Sequence, residues 1–75
     1  MRIKVSTKIE RFNPRDGFKY YYPEDFYFNF NNNVISIEGS SWKKQVKDME
    51  EGLDTIKKYF HGTKYHIIGL ERMHS

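Results

Sequence analysis

The 75-residue sequence contains no cysteine and no alanine, only 2 prolines and 5 glycines, and just 37% hydrophobic residues. Without cysteine there is no disulfide framework and no zinc site built on thiolates, so stability must come from packing or from a partner. No run of about 18 apolar residues occurs, which excludes a membrane-spanning helix. The opening Met1-Arg2-Ile3-Lys4-Val5-Ser6 alternates apolar with basic residues, unlike the continuous apolar region of a secretory signal, and a cytoplasmic protein is expected. A chain this short buries about 60 to 65% of the surface its unfolded form exposes, so a deep cleft between lobes is hard to build. The expectation is one small domain over residues 1–75, its tail frayed from about residue 72.

Charged residues make up 31% of the chain with a net charge of +3, mildly basic and well below that of a dedicated DNA-coating protein. The 6 Phe, 6 Tyr, 7 Ile, 5 Asn and 9 Lys are encoded by AT-rich codons, which points to a low-GC bacterium, its phages or its mobile elements.

Ile3, Val5, Thr7 and Ile9 share one parity and Arg2, Lys4, Ser6, Lys8 and Glu10 the other, the period of a half-buried strand. Asn13-Pro14-Arg15-Asp16-Gly17 reads as a turn, since Pro14 presets φ and Gly17 accepts a positive one. Phe18 to Tyr22 should return as a hairpin partner stopped by Pro23-Glu24-Asp25. Phe26 to Phe30 and Val34 to Glu38 form a second hairpin. A two-residue Asn31-Asn32 loop there would pair Phe28 with Ile35 and Phe26 with Ile37.

Gly39-Ser40-Ser41 should open a helix with a serine N-cap, running to about Phe60 and closed by Gly62. Trp42, Val46, Met49, Leu53, Ile56 and Phe60 recur at helical spacing as one apolar stripe, and Leu53→Ala is then expected to cost about 2 to 5 kcal/mol. Gly52 beside that stripe implies close approach of helix to sheet, because it otherwise costs about 1 kcal/mol relative to Ala. Lys64 to about Arg72 is apolar on both parities, which suits a central strand or one covered on both faces. The resulting fold class is α+β, a mostly antiparallel sheet of four to five strands in the order β-β-β-β-α-β, with one long helix on one face.

A single helix leaves the opposite sheet face open. Arg2, Lys4, Lys8, Lys19, Tyr21, Tyr27 and Asn29 would populate it, cations to neutralise phosphates and tyrosines to stack on unpaired bases, or else a merely solvated face. The aromatics exceed what so small a domain can bury. Tyr20, Tyr21 and Tyr22 cannot all point inward, so Tyr20 and Tyr22 are candidate interface residues. Trp42, Lys43 and Lys44 in the first helical turn would oppose the dipole unless an anion sat on the free N–H groups, making this a candidate anion site.

Enzyme chemistry finds little footing. His61 and His66 lack zinc-site spacing, His74 lies near the chain end, Asp48, Glu50 and Glu51 form a solvated charge run, and Ser40-Ser41 has no nucleophile-elbow context. No catalytic, cofactor or metal site is assigned. The order strand, strand, strand, helix, strand, with Gly39-Ser40-Ser41 before the helix, resembles the small HicB-type antitoxin fold over about residues 1 to 70. Tyr22-Pro23-Glu24-Asp25-Phe26 departs from that family's proline-aspartate and proline-glycine segment, and the alanines of its helix are absent, so no residue is carried across. The leading expectation is a non-enzymatic protein-binding protein, an inhibitor or antitoxin-like adaptor, that also has the makings of a homodimer; the alternative is a nucleic-acid-binding module using the basic, tyrosine-bearing face.

Overall fold

In the computed structural model, which describes residues 1–73, the alternating opening segment forms strand β1 (Arg2–Phe12), and His74 lies outside the described residues. The Asn13–Gly17 turn closes as its residues dictate. Gly17 adopts φ +76° and donates its N–H to the Asn13 carbonyl at 2.9 Å, Asn13 Oδ1 accepts from Arg15 N, and Asp16 Oδ1 accepts from Phe18 N.

The chain returns as β2 (Lys19–Asn31), one unbroken strand where the sequence suggested two separated at Pro23. Backbone bonds between Met1 and Phe30 at one end, and from Asn13 N to the Phe18 carbonyl at the other, make the odd-numbered rungs of β1 the hydrogen-bonded ones. Pro23 faces Lys8 on an even rung. Its missing N–H therefore points away from β1, to a side where no strand pairs, so it costs the ladder nothing.

Strand β3 (Val34–Ile37) follows a two-residue turn of Asn32 and Asn33, both at positive φ (51° and 60°). Asn31 pairs with Val34 and Phe28 with Ile37. The register expected from an Asn31-Asn32 loop is thus displaced by two residues. Such a shift leaves every side chain on its own face, so apolar sorting alone does not detect it.

The largest departure lies between Gly39 and Asp48. Gly39 takes φ +82° and the Ser40 hydroxyl accepts from Trp42 N at 3.1 Å, a tight turn that sends Lys43–Gln45 back as β4, an edge strand paired with Val34 to Ser36. Helix α1 spans Met49–Phe60 only. Asp48 is its N-cap, accepting from Glu51 N at 2.8 Å, while Glu51 Oε2 accepts from Lys47 N at 2.9 Å. The expected serine cap is therefore replaced by an acidic one seven residues on, and two acidic residues in the first turn complement the dipole. Gly62, at φ +76°, follows the helix end as expected.

Strand β5 (Tyr65–Met73) pairs antiparallel with β1, completing a five-stranded sheet of order β4-β3-β2-β1-β5. It is an edge strand, not the central one its apolar run suggested. The register shifts between Ser6 and Thr7, leaving Ile68 as the extra residue of a β-bulge. The bulge switches parity, so Tyr65 and Ile67 before it and Leu70 after it all pack toward the core, while Ile68 is 60% exposed. Arg72 and Met73 pair with Ile3 and Arg2, so β5 extends to the last described residue.

Ile3, Val5, Phe28, Ile35, Ile37, Val46, Ile56 and Phe60 form the core. Of the expected stripe, Val46, Ile56 and Phe60 are buried, whereas Trp42, Met49 and Leu53 are half-buried against it. Helix and sheet meet closely at Gly52, since a Cβ there would lie 3.1 Å from two carbons of the fully buried Ile35. Among the described residues no helix is long and apolar enough to cross a membrane.

The burial pattern moves the sensitive position from Leu53 to Ile56. Ile56→Ala should lower the unfolding free energy by about 2 to 5 kcal/mol in a urea titration, against at most about 2 kcal/mol for Leu53→Ala. Gly52→Ala should lose about 1 kcal/mol net, because overpacking against Ile35 outweighs the gain in helix propensity. A stabilising Gly52→Ala would show that the helix-to-sheet contact has slack.

Candidate functional site

The β1–β2 hairpin outruns everything packed on it. On the helix side Phe26 is the last residue of β2 packed on the core, its ring 5.0 Å from Phe60 and 5.1 Å from Tyr65, while on β1 burial continues through Thr7 to Ile9. Pairing with β5 stops at Ile9, and β3 reaches only Phe28 to Asn31. The remaining rungs, Glu10 to Phe12 against Lys19 to Tyr21, project as a two-stranded arm. The radius of gyration is accordingly 14.3 Å and the longest extent 49 Å, where a compact domain of this length would have a radius of about 11 Å.

The arm is lined with aromatic rings. Phe18 is 71% exposed, Phe12 61%, Tyr21 53% and Tyr22 51%. Strand alternation puts Tyr20 and Tyr22 on the helix side with Arg11, and Phe12 and Tyr21 on the open side with Lys19. Tyr20 and Tyr22 meet edge to face with centroids 5.2 Å apart, and the Tyr22 hydroxyl raises the Tyr20 phenol above its ordinary pKa. The structure thus brings together Tyr20, Tyr21, Tyr22 and Lys19 from the sequence expectation, and adds Phe12 and Phe18. Those two are the strand end and turn exit of the hairpin, so the length of β1 beyond the core residues was the signal that could have found them.

The open sheet face is assembled as expected from Arg2, Lys4, Lys8, Lys19, Tyr21, Tyr27 and Asn29, all on one side of β1 and β2. Its cations are largely satisfied within the molecule. Arg2 donates to both carboxylate oxygens of Glu38, at 2.6 and 3.2 Å, while its guanidinium stacks 4.0 Å over the Tyr27 ring. Lys4 lies 3.8 Å from Asp25 and Lys19 3.0 Å from Glu10. Lys8 sits 4.7 Å over the Tyr21 ring. The bond from Arg2, assisted by Asn29, outweighs partial desolvation and holds the Glu38 carboxyl below its ordinary value. Three of the four face cations are therefore ion-paired, and Arg2 and Lys8 lie over tyrosine rings.

The candidate anion site is not formed. Trp42 precedes β4 and packs against the core, with its ring 6.2 Å from Phe28 and 5.1 Å from Tyr59, while Lys43 and Lys44 lie in β4 itself. No helical N–H groups open there. Lys43 and Lys44 looked out of place in a first helical turn because the helix begins at Met49. The depression beside the helix end is lined by Lys57, Phe60, His61, Gly62, Thr63, Tyr65, His66 and Ile67, and the one at the helix start by Lys47, Asp48, Glu50, Glu51 and Asp54; both are shallow and open.

The Arg2–Glu38 pair links β1 to the end of β3 and gives a pH signature. Since the folded carboxyl titrates below the unfolded glutamate value of about 4.3, its stabilisation is present above that pH and is lost as pH falls through the folded value. Glu38→Gln should lower the thermal midpoint at pH 7, and the gap to wild type should narrow as pH falls below about 4.3 and through the folded value. A gap that stays undiminished as pH falls through the carboxylate range would assign the loss to some other contact.

No protein-family model, curated protein or solved structure matches this chain; four strands, not three, precede the helix, and Gly39-Ser40-Ser41 leads into β4, so the features that suggested the HicB-type antitoxin fold are not formed.

Proposed function

We propose that this chain is a small non-enzymatic binding protein, from a phage or mobile element of a low-GC bacterium and acting in the cytoplasm, that occupies the surface of a protein partner as an inhibitor or antitoxin-like adaptor. The observation that supports the reading is the aromatic arm. Phe12, Phe18, Tyr20, Tyr21 and Tyr22 stand exposed on a projecting hairpin, and exposed aromatic clusters of this kind commonly serve association, where Tyr and other aromatic anchors concentrate binding energy. The turn that carries Phe18 is held by the side chains of Asn13 and Asp16, which bond each other at 3.2 Å and cap neighbouring N–H groups. Little ordering entropy then remains to be lost on binding.

The nucleic-acid alternative uses the open face, and the ion pairs of Arg2, Lys4 and Lys19 count against it, because neutralised cations release few counterions on meeting phosphate.

Capture from a bacterial lysate before and after nuclease treatment separates the two. Capture should survive nuclease and fall about thirtyfold in the Phe18→Ser/Tyr21→Ser variant, the loss of a hot spot, while stability changes by no more than about 0.5 kcal/mol per exposed site. Capture abolished by nuclease, with a salt dependence flattened by Lys4→Ala and Lys8→Ala, would transfer the function to the sheet face.

A further inference from the structure

Besides the short free side of β1 beyond Ile9, the sheet has three open edges, and they are not equivalent. The β4 edge is three residues long and reads Lys-Lys-Gln. The free side of β2 carries Pro23, whose missing N–H interrupts its outward row of donors. The β5 edge is nine residues long, contains no proline, and exposes Ile68. Even-numbered residues of β1 face β5, so Gly69, Glu71 and Met73, opposite Ser6, Lys4 and Arg2, spend their backbone bonds inward. The N–H and C=O groups of Leu70 and Arg72 point outward. Below the bulge His66 faces Lys8, and the backbone groups of Ile67 and the Tyr65 carbonyl point outward, while the Tyr65 N–H donates to Thr63 Oγ1 at 3.2 Å.

We propose that this edge pairs with the same edge of a second copy, antiparallel about a two-fold axis normal to the sheet, giving one continuous ten-stranded sheet. In a regular strand such an axis requires each central residue to meet itself or its equal-parity neighbours. The extra residue at the Ile68 bulge instead lets the segment before it meet the segment after it, with faces and outward polar groups matched. Tyr65 then lies opposite Leu70 of the second copy on the helix side, Ile67 opposite Ile68, and Lys64 opposite Glu71 on the open side. Each contact occurs twice by symmetry.

Charge selects this register. Neither Lys64 nor Glu71 belongs to any of the three ion pairs of the described residues. Sliding by one residue would set Lys64 against Arg72 and Tyr65 against Glu71, replacing attraction with repulsion.

Sedimentation equilibrium between about 10 μM and 1 mM tests the proposal on intact protein, a range that brackets weak pairing of small interfaces. The mass should rise from 9.1 kDa toward twice that value, and hydrogen exchange of the wild type should slow with concentration at Ile67, Leu70 and Arg72. Lys64→Glu should weaken association about tenfold, and Lys64→Glu with Glu71→Lys should recover it to within about threefold. Phe18→Ser should leave it unchanged, which keeps this result separate from the function of the arm. A mass of 9.1 kDa throughout, an association indifferent to the charge reversal, or protection appearing on β2 instead of β5 would each overturn the proposal.

Discussion

The pairing of β1 with β2 is the constraint on which the remainder of the molecule depends. Eleven consecutive rungs without a bulge make a ribbon that is straight in register from Arg2 to Phe12. Thirteen residues of β2 extend roughly 43 Å at about 3.3 Å each, whereas the 12-residue helix extends roughly 18 Å at about 1.5 Å each. One helix of that length cannot shield one face of such a ribbon. The arm is therefore a consequence of lengths, and its aromatic content is what turns an unshielded end into a candidate binding element.

Where the helix does cover the ribbon, aromatic rings take the place that alanine and leucine fill elsewhere. Trp42, Phe28, Tyr59, Phe60, Phe26 and Tyr65 form a continuous series of tilted or edge-to-face contacts with centroids between 5.0 and 6.2 Å. Such pairs add about 0.5 to 1.5 kcal/mol each beyond the area they bury, which matters in a domain with so small an interior. The series also ties together elements far apart in sequence. It reaches from the turn before β4, across β2 and the helix, to the start of β5, and Gly52 lets the helix settle on Ile35 beneath it. The exposed side chains of Phe12, Phe18, Tyr21 and Ile68, by contrast, lie outside this series.

Alternation and turn chemistry were legible in the sequence, and ambiguity entered where one pattern serves two structures. Ile3, Val5, Thr7 and Ile9 announced β1, and Asn13 to Gly17 announced its turn, because each depends on local stereochemistry. Trp42 and Val46 stand four apart and both reach the core, which satisfies a helix and equally satisfies a turn and short strand that return the chain to the same surface. The decisive residues were polar. Asp48 with Glu51 three positions later is a helix start in its own right, and the two lysines upstream conflicted with the dipole because they were never in it. Likewise Ile67 and Ile68 gave apolar character to both parities through a bulge, which a period count reads as a strand covered on both sides. The open face was placed correctly by parity, but Glu38, Asp25 and Glu10, which neutralise it, come from cross-strand neighbours that only the register identifies.

The edges and the arm bear on one problem, how a small open sheet avoids indiscriminate strand pairing. Pro23 sits on the side of β2 nearest the aromatic arm, so the arm is protected from indiscriminate strand addition while its side chains stay available. The β5 edge has no such block and carries the charges that would define a single register. Because β5 runs antiparallel to β1, the arm emerges beyond the Tyr65 end of β5. A two-fold axis normal to the sheet would then send the two arms of a pair in opposite directions, each clear of the joint between copies. Two surfaces so placed do not compete for the same occupant, and association at the edge would present the arm twice, raising the effective concentration of the second arm toward any partner that itself offers two sites within reach.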